Sequence, residues 1–570
     1  MVHLLTNKEN LTFCFVIASF NNSANIEKNL NSVIEQSYPH WRVLYTNDCS
    51  TDRTHEMFHA ILAKHPHLRD NFTYIRTNTQ QGQMCNKYHM YKLVRDLEVV
   101  CLLDGDDWLL HSHVLQVLKD QYSRTDTKLC TSNYRTFFKN QIISYIPSST
   151  FYQEHEIKQK TTRYNQTWLF KHLKTGYGIL FKSIPQSYFQ FNNKWLNCCT
   201  DCAEMHSACE FSNGKTSQID QPLYVYNKDN SILYNNSYYN KNAEERTHSL
   251  SYIRSLAACK YEWPFTYIIN LAKDVERKNK MQIQLALMQN SNYTFIKAVD
   301  GDVCDSRLYD KYLEDRSVQD VRNLPNTKLY YNLTKQHITT KSLGLLSTVF
   351  IVLNKFVHSN LSHMVLFEDD VFSHKELPYF FFLHDNLLKD KDLVYLGCHH
   401  HPNKMYDEYV NNQDVFIDIR RVPFLIYGTY SMIMSKKLAR FILSFGLESI
   451  VRLNLSWDLF LNYIREQDQH TFYLYFKELF IPNVCKYGGI NPFRNQSFYT
   501  EGNINVDEYY TQWECEPEPK VNTQPEQPTK VKLTEQPTKV NARVDTRIPP
   551  QNITLEKRKK KYNRFSLQLP

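Results

Sequence analysis

The run Val99-Val100-Cys101-Leu102-Leu103, followed at once by Asp104-Gly105-Asp106-Asp107, decides how this chain is read. A short apolar run closed by a glycine-containing turn reads as a buried strand. Carboxylates crowded at its end repel one another and are costly to hold together. A hard divalent cation relieves that cost, since Mg2+ and Mn2+ prefer oxygen ligands. The segment therefore predicts a metal–diphosphate site, with a solvated acidic turn as the plainer alternative. Met364-Val365-Leu366-Phe367 running into Glu368-Asp369-Asp370 repeats the pattern, so two such sites are expected.

Working outward, residues 12–18, 41–46 and 72–75 read as further strands. Helical stripes lie between them, first Ile26, Leu30, Val33 and Ile34, then Phe58, Ile61 and Leu62. The alternation predicts an open, mostly parallel sheet with helices on both faces. Ligands sit beyond the carboxyl ends of strands in such sheets, so Asp48, ending the second strand, can meet the acids at 104–107. Gly105 is read as permitting the tight turn between them. Around residues 238–262 the chain turns polar and the pattern restarts. A strand ends at Asn270, a helix carries Arg277, a strand ends at Asp300, and a helix at 342–357 precedes the second acidic strand. The fold class is α/β, with two tandem Rossmann-like units at 1–250 and 264–513. A linker at 251–263 joins them, and a disordered tail follows at 514–570.

The 570 residues, 42% hydrophobic and 14% aromatic, suffice for two or three cores. The tail holds 12 Lys/Arg against 7 Asp/Glu and so carries most of the net charge of +8. The remainder gives no electrostatic reason to expect nucleic acid. The tail repeats Glu-Gln-Pro-Thr-Lys-Val at 526–531 and 535–540 and has too few large apolar residues to order. Its Lys557-Arg558-Lys559-Lys560-Lys561 run reads as solvated, with an address or a polyanion contact as alternatives. No basic-then-apolar leader opens the chain, and no apolar run approaches the ~18 residues of a membrane span. The 14 cysteines read as reduced thiols in a cytoplasmic setting.

VIASFNNSANIEKNLNSVIEQSYPHWRVLYTNDCSTDRT at 16–54 resembles the opening of a glycosyltransferase family 2 domain, and LLDGDDW at 102–108 resembles its metal motif. With PLYVYNKDNSI at 222–232 as a closing segment, the resemblance covers about residues 10–235. It implies a GT-A fold in which Asp48 contacts the nucleotide base and Asp104 lies near the ribose. Asp106 would ligate Mn2+ or Mg2+ on the diphosphate. Asp52 belongs to the same motif, or only caps its helix. Thr200-Asp201-Cys202-Ala203-Glu204-Met205 stands where the family carries its acceptor motif, which makes Asp201 the candidate general base; an ordinary helical Asp is the alternative. Asn47 and Thr200 stand where the family usually has Asp and Glu.

The second half resembles glycosyltransferase family 25, which includes lipopolysaccharide and collagen galactosyltransferases. The matching pieces are YIINLAKDVERK at 267–278, AVDGD at 298–302, LFEDDV at 366–371, VYLG at 394–397, GTYSMIMSKKLARFI at 428–442 and SWDLFL at 456–461. This likeness implies Glu368 and Asp370 as the metal–nucleotide acids, Asp370 as the metal ligand. Asn270, Arg277 and Asp300 would line the nucleotide mouth. Asp458 is the acceptor-side base, or a buried structural Asp. The usual Gly-Cys and Ser-His pair is reduced to Gly344 and Ser347, without the histidine. The fusion and the composition are also similar to the glycosyltransferases of giant DNA viruses, which would place the enzyme in a host cytoplasm or on a virion.

The expected function is a bifunctional, metal-dependent hexosyltransferase. It would move sugars from nucleotide-sugar donors, UDP-sugars first, to hydroxyls of a glycan or protein acceptor, with inversion. A carboxylate takes the hydroxyl proton during attack, and the cation stabilises the departing diphosphate. The alternatives are a sugar nucleotidyltransferase and a glycan-binding or scaffold protein with one or both sites inactive. The former usually needs a Gly-rich, Arg-containing loop where this chain has Ala18-Ser19-Phe20-Asn21-Asn22. Cys198, Cys199, Cys202, His206 and Cys209 read as packed thiols beside a helix, with a zinc site as the alternative. Cys398-His399-His400-His401 reads as loop histidines, with a metal or phosphate contact as the alternative.

Overall fold

The computed structural model describes residues 11–143, 151–165, 168–229, 243–302, 339–375, 377, 381–397, 414–420, 426, 429–453, 455–476 and 479–482. They belong to one unit, Met1–Trp513. The tail from Glu514, its basic run and the Cys398–His401 stretch lie outside the described residues.

The first half lays down β1 (Phe13–Ser19), β2 (Trp41–Asn47), β3 (Phe72–Arg76), β4 (Val99–Leu102), β5 (Trp108–Leu109), β6 (Leu129–Phe138), β7 (Gln141–Ile143) and β8 (Lys174–Tyr177). A small hairpin of β9 (Gln190–Phe191) and β10 (Lys194–Trp195) follows, then β11 (Thr216–Asn227). One sheet runs β3-β2-β1-β4-β8-β6-β11-β5, with β7 beside β6. Phe13 to Ile17 of β1 are all fully buried, so both faces of the sheet are covered there. The expected mostly parallel sheet is half right. β3, β2, β1 and β4 are parallel, but β8 pairs antiparallel with β4 and opens a mixed extension. The extension was illegible because β8 reads Lys-Thr-Gly-Tyr and the outer half of β6 is only part-buried, so neither shows an apolar run.

The second half lays down β12 (Thr266–Asn270), β13 (Tyr293–Lys297), β14 (His363–Glu368), β15 (Val371–Ser373), β16 (Leu393–Tyr395), β17 (Phe416–Asp418), β18 (Ser431–Ser435), β19 (Phe472–Tyr475) and β20 (Phe480–Pro482). Its main sheet runs β13-β12-β14-β18-β16-β19-β17, while β15 pairs with β20. The same device recurs in both halves. Acidic strand β14 lies between parallel β12 and antiparallel β18, as β4 lies between β1 and β8. Where strand direction reverses, an open sheet leaves a crevice beyond its strand ends.

The halves share buried surface. Fully buried Phe382 meets Tyr261 at 5.7 Å between ring centroids, and its amide donates to the Tyr475 hydroxyl at 3.1 Å. Lys128 Nζ stands 4.6 Å above the Phe382 ring. Buried Asp96 accepts from the Val415 amide at 2.9 Å and ion-pairs with Lys182 at 2.6 Å. The stretch read as a linker, 251–263, carries the end of helix Ala243–Ser255 and the buried residues Ile253, Cys259 and Trp263. One helix among the described residues, Thr340–Val357, is long and apolar enough to cross a membrane by length and composition alone. Its Leu346, Val349, Val352, Leu353 and Phe356 form a fully buried stripe that packs in the core. Gly344 and Gly301 let this helix touch the Asp300 loop, since a Cβ on Gly344 would sit 2.6 Å from the Val299 carbonyl.

Candidate active site

One cavity of about 1060 Å3 is lined by Asp48 from the end of β2, Asp104 and Asp106 from the turn after β4, and Asp201 from helix Thr200–Phe211. The turn is held from two sides. Tyr224 of β11 donates its hydroxyl to Asp107 Oδ2 at 2.7 Å and accepts from the Asp104 amide at 3.2 Å. The Asn227 amide donates to Asp107 Oδ1 at 2.7 Å. Asn29, on helix Ile26–Ile34, donates to the carbonyls of Asp104 (3.0 Å) and Asp107 (2.7 Å). Asp107 is thus a strut, and the carboxylates of Asp104 and Asp106 serve the cavity. Asp104 Oδ1 accepts from Gln83 Nε2 at 3.1 Å. Burial pushes Asp106 up to about 6, with Asp104 adding to the shift. Gly105 is needed for a reason other than the one read from sequence. Its backbone is not left-handed. Instead a Cβ would come within 3.0 Å of Asn22 Nδ2, which donates to the Gly105 carbonyl.

Asp48 is buried at the cavity edge and its oxygens hold protein. They accept from the amides of Gln81 and Gly82, both at 2.8 Å, and from the Thr77 hydroxyl at 3.1 Å. It anchors the loop that leads into helix Gln83–Tyr91. Asp52 accepts from the amides of Thr54 (3.0 Å) and Ser23 (2.9 Å), tying the start of helix Thr54–Lys64 to the loop after β1, and does not line the cavity. Asn47 caps the turn itself, accepting from the Ser50 amide at 3.0 Å.

Asp201 Oδ2 lies 3.1 Å from Lys174 Nζ. Lys174 pairs in register with Leu102, which sets it at the carboxyl end of β4. Burial would raise Asp201, but Lys174, then His172 and Lys87, outweigh it and bring the group down to about 2. His172 is lowered to about 3, chiefly by burial, so it is a neutral imidazole at pH 7. It stacks on Tyr224 at 4.8 Å. Lys87 and the Tyr91 hydroxyl reach buried Glu204 at 3.2 and 2.7 Å. Sequence reading missed Lys87, His172 and Lys174, which no local motif marks. It also missed helix Ala243–Ser255, whose Arg246, Leu250, Ile253 and Arg254 line the cavity at i, i+4, i+7 and i+8.

Among the described residues, no three His, Cys, Asp or Glu are placed to hold one ion. The cysteine group therefore gives no support to zinc, and its thiols are free. For Mg2+ or Mn2+ the fit is better, because these ions often take only one or two carboxylates beside phosphate oxygens. The raised Asp106 beside Asp104 is the kind of carboxylate pair that a cation would relieve.

In the second half, Asn270 Nδ2 donates to Asp369 at 2.7 Å, and Arg277 lies 3.3 Å from Asp369 and 3.7 Å from Asp370. Asp369, the middle acid, gathers Asn270 and Arg277, and burial lifts it to about 6. The Glu368 amide donates to the Tyr430 carbonyl, and Asp458 accepts from the Thr429 amide at 3.1 Å. Asp458 thus sits close to the same strand end. Asp300 is ion-paired with Lys273 at 2.7 Å and lines a cavity of about 510 Å3 with residues 271–273 and 297–299.

Residues 14–185 match the model of Glycosyl transferase family 2, and residues 264–451 match that of Glycosyltransferase family 25 (LPS biosynthesis protein). The chain therefore carries a glycosyltransferase family 2 domain followed by a family 25 domain. Asp201 and Asp458 both lie beyond the matched stretches. No curated protein matches the chain in sequence. Among solved structures it is similar to S. aureus TarS, at 19% identity over 38% of this chain and 37% of that one, TM-score 0.28. It is also similar to TarS 1-349 in complex with UDP-GlcNAc, at 17% identity over 43% of this chain and 70% of that one, TM-score 0.29. A third is mannosyltransferase PcManGT from Pyrobaculum calidifontis in complex with GDP-Man and Mn2+, at 14% identity over 43% and 65%, TM-score 0.30. The chain thus spans little more than a third of the TarS chain it matches.

Proposed function

We propose that the family 2 domain transfers a sugar from a nucleotide-sugar donor to a hydroxyl acceptor, with inversion and with a divalent cation. The carrying observation is the single cavity that gathers Asp48, Asp104, Asp106 and Asp201 from separate elements. Asp104 and Asp106 would hold Mg2+ or Mn2+, which supplies Lewis-acid stabilisation of the departing diphosphate. Asp201 takes the acceptor proton. Held near 2 by Lys174, it is ionised throughout the neutral range but weakly basic. Proton uptake therefore belongs to the state in which the incoming hydroxyl replaces the Lys174 ammonium. A single carboxylate acting on the acceptor implies one displacement, which inverts the anomeric centre. The test is transfer and hydrolysis of a nucleotide-sugar panel with Mn2+. Asp201→Asn should cut turnover by about 10²–10⁴-fold while donor still binds. A wild-type chain inert toward every donor sinks the reading.

For the family 25 domain, an active second transferase site competes with a closed one. Arg277 already lies against Asp369 and Asp370, where a divalent cation would be needed. If the site is active, Asp370→Asn should abolish one of two donor activities; if it is closed, the variant should leave every product unchanged.

A further inference from the structure

We propose that the acceptor of the family 2 site is itself a sugar, its ring seated on Trp168 and one of its hydroxyls held by His172. This deepens the reading of Asp201 as the acceptor-side base and rests on it. Trp168, Phe170, His172 and Lys174, alternate residues on the way into β8, all line the cavity. Trp168 is 37% exposed, an apolar surface beside charged and polar groups. Phe170 and His206 meet the indole edge to face, at 5.3 and 5.5 Å between ring centroids, and no ring among the described residues stacks parallel on it. Lys174 ties this surface to the base, since its Nζ stands 5.6 Å from the indole centroid and 3.1 Å from Asp201 Oδ2. Indole and carboxylate are thus separated by about the width of a pyranose. His172 stands on the same wall, its neutral ring stacked on Tyr224 at 4.8 Å and Tyr226 at 5.8 Å. Neither ring nitrogen has a hydrogen-bond partner among the described residues, and Nδ1 is buried. The ring lines the cavity, so Nε2 is the nitrogen left to a ligand. Buried polar groups are ordinarily paired, and a sugar hydroxyl, donor and acceptor at once, satisfies a neutral imidazole in either tautomer. A pyranose joins an apolar C–H face to a rim of hydroxyls, which suits an open indole beside an unpaired imidazole. A serine or threonine side chain has no such face.

Saturation-transfer NMR on the full chain with UDP and Mn2+ tests this without turnover, so it is read apart from the chemistry at Asp201. The probes are the methyl β-pyranosides of glucose, galactose and N-acetylglucosamine, methyl α-mannoside, and acetyl-seryl-threonine amide as hydroxyls without a ring. At least one pyranoside should bind with a Kd below about 20 mM, its saturation concentrated on the C–H protons of one ring face, and should outbind the peptide. Trp168→Ala should weaken that sugar at least about tenfold, and Trp168→Phe should retain part of the affinity. UDP affinity should change by less than about twofold in both. His172→Phe keeps a ring against Tyr224 but removes the nitrogens, and should weaken the sugar about three- to tenfold. Should Trp168→Ala fail to fold, Trp168→Phe and His172→Phe decide. The inference is overturned if no pyranoside binds, if the peptide binds as tightly as the best of them, or if substitution at Trp168 or at His172 leaves sugar affinity unchanged. UDP affinity that falls together with sugar affinity in Trp168→Ala overturns it too, by putting the indole on the nucleobase. A wild type that fails to bind UDP instead overturns the donor-site reading beneath it.

Discussion

Lys174 sets the basicity of Asp201, and that contact is where chemistry is tuned residue by residue. A depressed carboxylate is ionised above its folded value and loses function only as pH falls through it. With Asp201 near 2, the acid limb of transfer should lie below the range where most proteins stay folded. In Lys174→Met the largest lowering influence is gone and burial is opposed only by His172 and Lys87, so the acid limb of kcat/KM should climb by at least about one pH unit. An unmoved limb would show that another group titrates. Asp106 has the opposite sign. Its folded value, about 6, lies above the ordinary carboxylate range, so the cation-free fold is penalised above pH 6 and relieved as pH drops through 6. Asp106→Asn should therefore raise the melting temperature at pH 7.5 without cation, and the advantage should shrink as pH falls from 6 toward the ordinary carboxylate range. Mn2+ with UDP should stabilise the wild type and leave the variant unmoved.

At the level of elements, β11 holds the acid turn of β4 from a distance. Tyr224 closes two hydrogen bonds on that turn, to Asp107 and from Asp104. Tyr224→Phe leaves a buried carboxylate oxygen short of its donor, at a cost of about 1–3 kcal/mol. Turnover should fall more than donor affinity, because the turn loosens while its carboxylates remain. Equal losses in both would place Tyr224 in donor binding itself. These cross-element ties explain what was hard to read. Asp48, Asp104 and the Glu368–Asp370 group announce themselves as acids at the ends of apolar strands. Lys174, by contrast, sits in a four-residue strand with no apolar run, and Arg246 and Arg254 lie on a helix whose sequence is mostly polar. Only packing gives such residues a destination.

Across the whole molecule, the junction of the two domains buries a lysine with no hydrogen-bond partner among the described residues. Burial brings Lys128 down to about 7, with Lys215 adding to the shift. A lysine whose folded value lies below its unfolded one costs most at and below pH 7. That cost fades as pH rises toward the ordinary lysine range. The intact chain should thus melt higher at pH 9.5 than at pH 7, and Lys128→Met should stabilise it at pH 7 by about 2 kcal/mol and flatten that slope. An unchanged slope would mean that Lys128 keeps its charge in the folded state. Because Phe382, Tyr261 and Trp263 share this junction, thermal unfolding should engage both domains.

Hydrophobic periodicity and strand-end acids are local properties, written within a few residues of one another, so the chain alone determined two α/β halves, their acidic turns and their family likeness. Charge balance is not local. Which cation faces which carboxylate depends on strand order and helix packing over hundreds of residues. Tertiary structure alone therefore decided that Lys174 restrains Asp201, that Arg277 lies on Asp369, and that two arginines from the supposed boundary line the first cavity.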